Sequence, residues 1–289
     1  MSLLTSHWTL DPFLAVTVLV AAWHEHGVRH LASRSRPARN AGRRRQSLLF
    51  YAGLTLLDLA VMSPIDYWSD QFFWVHQVQH LLLMFAAPVL IVAGAPWLPL
   101  AHGLPVRQRR RVGRALLLSG WSAPLRQVAR TLTRPWVAVV VFNLDMVAWH
   151  LPVLFDLAYR NPFVHIWLMH GLFFVTGVAF WLQFTNSYPL RPRLTPIAQI
   201  GALFGTNVVM FVIAMTLGLL ATTAWYPVYA NLHTGLSAVG DQHLGAGILW
   251  VCGDFWALPA MHRAMRRFID DDRGATWESR IDRLLQGAR

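Results

Sequence analysis

Apolar residues gather into seven runs, at about 10–31, 47–66, 73–96, 135–154, 163–184, 196–224 and 242–262. Roughly 20 mostly apolar residues suffice for a helix to cross a bilayer. The pattern therefore predicts an all-α integral membrane protein, a bundle of seven transmembrane helices. Two other segments alternate differently. Residues 104–134 interleave arginines with Leu116, Leu117, Trp121, Leu125, Val128 and Leu132, as a basic helix lying on the inner leaflet does. The tail repeats this with Trp277, Ile281, Leu284 and Leu285 at helical spacing among charges. The expected organisation is one membrane domain, 1–262, followed by a basic amphipathic cytoplasmic tail, 263–289. No internal repeat or low-complexity tract interrupts it.

Composition supports the membrane assignment. Of 289 residues, 55% are hydrophobic and only 13% charged, against ~25% charged in a soluble globular domain. An ordinary soluble enzyme is excluded. The net charge of +11 comes from 25 basic residues, every one an arginine. They lie in bunches between apolar runs rather than along one helix face, which argues against a nucleic-acid partner and for the lipid bilayer. Twenty-four fall in the first, third and fifth loops and the tail, and only Arg160 lies on the other side. Cytoplasmic loops retain arginine, so the N-terminus is expected outside and the C-terminus in the cytoplasm. No basic segment precedes the first apolar run, so it reads as a retained span rather than a cleaved signal. The lone Cys252 excludes a disulfide framework, a CxxC pair and a CxxCH haem attachment within the chain. Any metal site must then be built mainly from histidine.

Sorting the thirteen histidines by membrane side places eight outward: His7, His76, His80, His150, His165, His170, His233 and His243. Polar side chains within a bilayer face the bundle interior and mark ligand, ion or proton sites. In HQVQH, His76 and His80 stand four residues apart on one helix face, a spacing that suits one metal ion. His150 reaches the same depth from the fourth span. His165 and His170 open the fifth span; five residues apart they lie ~140° apart on an α-helix, so joint ligation requires a distortion, and the deeper His170 is favoured. The candidate metal ligands are thus His76, His80, His150 and His170, with His165 and His243 as possible additions. Asp66 in SPID is placed to support them by hydrogen bonding. Imidazole suits copper, zinc or iron, and Met84 and Met169 would add soft donors favouring Cu(I) if they face inward. Blander roles stay open. A single histidine in a bilayer is more often an interhelical hydrogen-bonder. His24, Glu25, His26 and His30 end the first span at the inner boundary, where polar residues are expected without any inner metal site. Asp58, Asp145 and Asp254 read either as a proton relay or as ties between helices.

These motifs resemble the CtaG-type assembly factors of bacterial caa3 cytochrome c oxidase. The likeness is carried by SPID at 63–66, HQVQHLLLMFAAPVLIVAGAP at 76–96, WHLPVLFD at 149–156, NPFVH at 161–165 with His170, YPVYA at 226–230 and GLSAVGDQHLGAGILWV at 235–251. The resemblance implies a multi-pass protein of the bacterial cytoplasmic membrane, not an enzyme, that serves oxidase maturation and assists copper insertion. Its implied partners are cytochrome c oxidase subunits and periplasmic copper chaperones. His76, His80, His150 and His170 match the family's histidines and Asp66 its acidic position. His243 stands where the family usually has glutamine, and the histidines ending the first span are unlike the family. Copper held transiently at the outward-facing cluster is the leading expectation. A membrane haem-binding or quinone-linked redox protein, and a metal-free scaffold for oxidase subunits, are the alternatives.

Overall fold

A computed structural model describes residues 6–8, 12–33, 37–229 and 235–274, and within them every regular element is a helix. Trp277, Ile281, Leu284 and Leu285 of the expected amphipathic tail, and His233, lie outside the described residues, as does the Asp254 side chain.

Helix α1 (Pro12–Ala32) is followed by α2 (Pro37–Met62). The second apolar run does not continue as one helix to residue 66. Ser63 caps a new short helix, α3 (Pro64–Ser69), its Oγ accepting from Ile65 N, with Pro64 at the first helical position, where a missing N–H costs nothing. The third run forms a helix over Phe73–Gly94: α4 (Phe73–Leu81), a π-turn at Leu82–Ala86, and α5 (Ala87–Gly94), which ends on left-handed Ala95. After α6 (Trp97–His102), the basic stretch forms two helices instead of one, α7 (Val106–Leu117) and α8 (Ala123–Leu132). Neither buries a residue, so Leu117, Leu118, Trp121 and Leu125 are left exposed for a membrane surface.

The fourth run, α9 (Pro135–His150), does not run straight to 154. It turns by 75° into α10 (Pro152–Arg160), because the residue before a proline avoids the helical region and Leu151 is extended. The fifth opens with a seven-residue π-helix, Val164–His170, and continues as α11 (Gly171–Trp181). The sixth is α12 (Pro196–Met215), closed by a π-turn to Leu220. The last, α13 (Ala238–Gly274), carries on past the expected boundary at 262.

Among the described residues, four helices are long and apolar enough to cross a membrane: Phe73–Gly94, Val164–Trp181, Pro196–Leu220 and Ala238–Asp270. The bent pair α9–α10 makes a fifth. Helices α1 and α2 are also long, but each has a polar end, from His24 to Arg29 and from Arg39 to Arg45. The outer surface carries exposed Val16, Leu19, Phe204, Phe211, Leu219 and Phe255, an apolar coat that lipid accommodates. The Phe73–Gly94 helix is the most enclosed of the four and runs through the centre of the core. Small residues let its neighbours close on it: a Cβ on Gly177 would sit 2.5 Å from the Met84 carbonyl oxygen, and one on Gly245 2.6 Å from the Phe73 ring.

Candidate metal centre

Four polar residues of HQVQH are all buried: His76, Gln77, Gln79 and His80. Burying so much polarity demands partners, and the helices around α4 supply them for part of it. Asp241 at the start of α13 accepts from the backbone N–H groups of Phe73 (2.7 Å) and Trp74 (3.0 Å), capping α4 from another helix and fixing its first turn. Gln79 donates to the Ala60 carbonyl and to Asp66 Oδ1, both at 2.8 Å. Asp66 therefore holds α4 through Gln79.

The histidine rings meet beneath the α9–α10 bend. His76 and His80 have centroids 4.2 Å apart, His165 and His170 4.4 Å, and His76 stacks on His165 at 5.2 Å with a 7° interplanar angle. His80 is 5.7 Å from His170. One nitrogen from each of His76, His165 and His170 lies within 4.8 Å of the others. Three nitrogens bound to a single ion at ~2.0 Å stand about 3.3–3.6 Å apart, so small rotations of the rings close the triad. The Nε2 atoms of His76, His165 and His170 and both nitrogens of His80 are buried without a hydrogen-bond partner. Such orphaned atoms are costly and point to an occupant.

The π-helix brings His165 and His170 together. In an α-helix these positions diverge by ~140°, whereas i→i+5 winding stacks residues five apart. Asn161 starts the segment: its Oδ1 accepts from Phe163 N (3.0 Å) and Val164 N (3.3 Å), with Pro162 between. His165 is half-buried and forms the rim, while His76, His80 and His170 are buried.

Tyr229, from the short turn Pro227–Tyr229, orients His76. Its hydroxyl donates to the Ser69 carbonyl (2.8 Å), so its oxygen accepts from His76 Nδ1–H at 3.2 Å. That leaves the Nε2 lone pair of His76 for the cluster. Burial raises the Tyr229 phenol well above its ordinary value, so it keeps its proton. Phe155 closes the site from above, 4.9 Å from His76 and 4.3 Å from Tyr226, which stacks on Phe73 at 4.6 Å.

The remaining candidate residues have other tasks. His150 is buried beside the cluster, but its Nδ1–H donates to the Met146 carbonyl (2.7 Å) and its Nε2 accepts from the Gln77 amide (3.0 Å). His243 is exposed. Its neighbour Gln242 turns inward instead, donating to the Leu217 carbonyl and accepting from Trp225 N. Met84 and Met169 are both buried in the core. At the opposite end of the bundle His24 is buried against Phe50 and bonded to Tyr51, whereas His26 is exposed, so these two do not converge. Asp58 accepts from Thr17, and Asp145 from Thr176 and Trp149, each tie joining helices. Sequence reasoning missed Tyr229, Gln77 and Asp241. The glutamines carried a signal, being amides between histidines in an apolar run; the other two act across more than 150 residues of chain and gave none.

Comparison with known proteins agrees with the geometry. A model of the cytochrome c oxidase caa3 assembly factor family (Caa3_CtaG) matches residues 11–271. The chain is 28% identical over 206 residues to uncharacterized proteins of Mycobacterium bovis (Mb0105) and Mycobacterium tuberculosis (MT0111), covering 70% of this chain and 31% of each relative. It is 25% identical over 250 residues to the Mycobacterium leprae protein ML1998, covering 84% of this chain and 36% of that one. It thus spans about a third of the length of these curated relatives. No solved structure matches.

Proposed function

Because this chain belongs to the cytochrome c oxidase caa3 assembly factor family, we propose that it serves maturation of a bacterial oxidase by carrying copper as cargo on His76, His165 and His170, with His80 beneath them. The observation that carries this reading is the convergence of three unpartnered imidazole nitrogens within 4.8 Å. Copper suits imidazole ligands, and a set of three leaves a position open to an incoming ligand. A histidine of the recipient subunit then displaces the donor's ligands one at a time. His165 takes the place first expected for His150, whose nitrogens are hydrogen-bonded.

The reading includes seven spans. Helices α1 and α2 join the five apolar ones in a bacterial cytoplasmic membrane, with the N-terminus outside and the arginine-rich loops within. The histidines then face the periplasmic side, where oxidase subunits and copper chaperones are the partners and no catalytic step is required. An ion fits better than a haem. Axial histidines face each other across a macrocycle, whereas His76 and His165 lie parallel and stacked at 5.2 Å.

Metal analysis of purified protein loaded with copper tests the assignment. Wild type should retain one copper, and His76→Ala and His170→Ala should lose it along with oxidase maturation in cells. Equal copper content in all three would refute the carrier role; retained copper contacts with unimpaired maturation would refute delivery.

A further inference from the structure

At the end of the bundle opposite the histidines, α1 and α2 enclose a cavity of about 380 Å³ lined by Glu25, Val28, Asn40, Arg43, Arg44 and Ser47, among others. Its chemistry is lopsided. The single acid, Glu25, is already neutralised, since Arg29 Nε meets its Oε1 at 2.7 Å and the Tyr51 hydroxyl donates to its Oε2 at 3.0 Å. Two further guanidinium groups, Arg43 and Arg44, remain on the lining. Ser47 is 6% exposed, yet its Oγ has no hydrogen-bond partner. A buried hydroxyl left unsatisfied beside two cations calls for an acceptor-rich anion. Burial and the neighbouring Arg39 lower the Arg43 guanidinium below its ordinary value, so charge there is not fully compensated. Leu48, at the same cavity, is 62% exposed and offers apolar surface alongside the polar recess.

We infer that this cavity binds the phosphate of an anionic phospholipid, with Arg43, Arg44 and Ser47 holding the headgroup and Leu48 lying against an acyl chain. Basic recesses between membrane helices next to apolar faces have the chemistry such headgroups require. The site is separate from the histidine cluster and independent of any metal.

The test uses the full chain in detergent, with thermal unfolding followed as phosphatidylglycerol, phosphatidylcholine or inorganic phosphate is titrated in. Phosphatidylglycerol should stabilise wild type, and phosphatidylcholine should not. Arg44→Gln and Ser47→Ala should each raise the phosphatidylglycerol concentration needed by about fivefold. Arg45→Gln, equal in lost charge but off the cavity lining, should leave it unchanged. Equal weakening by Arg45→Gln and Arg44→Gln would overturn the site in favour of diffuse attraction. Protection by inorganic phosphate equal to that by phosphatidylglycerol would overturn the lipid assignment.

Discussion

Tyr229 decides which nitrogen of His76 faces the cluster, and that one bond separates a ligand from a filler side chain. Removing such an outer hydrogen bond typically costs 10–100-fold in metal affinity. Tyr229→Phe should therefore bind copper roughly 10–100-fold more weakly in competition with a chromogenic Cu(I) chelator, while the protein still folds. His150→Ala should behave in the opposite way. It strands the Gln77 amide, a penalty of about 1–3 kcal/mol, so the unfolding temperature should fall while one copper is retained. The division between these two histidines was not legible in the sequence, because both sit at the outer end of a span and both match the family pattern. Depth and type singled out His76, His80 and His170. What the pattern lacks is the competing partner of each ring, and those partners come from Met146, Gln77 and Tyr229 through packing.

The π-helix Val164–His170 shows the same limit at the scale of an element. Hydrophobic periodicity locates the fifth span but assumes α-helical winding, under which His165 points away from His170. A π-turn is equivalent to one residue inserted into an α-helix. Deleting exposed Leu168 should let regular α-helix form, with the histidines now four apart, and copper binding should survive. Inserting one alanine after Leu168 should abolish it. Both variants can be scored by copper stoichiometry against helical content from circular dichroism. Helix capping across the bundle is testable too. Asp241→Ala removes two bonds to the first turn of α4 and should cost roughly 0.5–2 kcal/mol, seen as a lower unfolding temperature. The existence of the helices was legible throughout. Their ends moved where a local cap or proline outweighed the apolar run, at Ser63–Pro64 and at Leu151–Pro152.

For the whole molecule, the arginine distribution is the quantity that sets orientation, and accessibility labelling can read it. In a Cys252→Ser background, Arg160→Cys should react with an impermeant maleimide from outside, and Arg191→Cys only after the membrane is opened. The reverse result would invert the bundle. The aromatic roof of Phe155, Tyr226 and Phe73 has a consequence for traffic to and from the histidines. With His76, His80 and His170 buried and only His165 at the rim, bulky reagents meet a wall of rings rather than the imidazoles. Extraction of the cargo by a large sequestrant should then be slow and independent of its concentration, limited by breathing of the α9–α10 elbow. A slender donor side chain reaching in over His165 would bypass that delay, so the gate selects by girth.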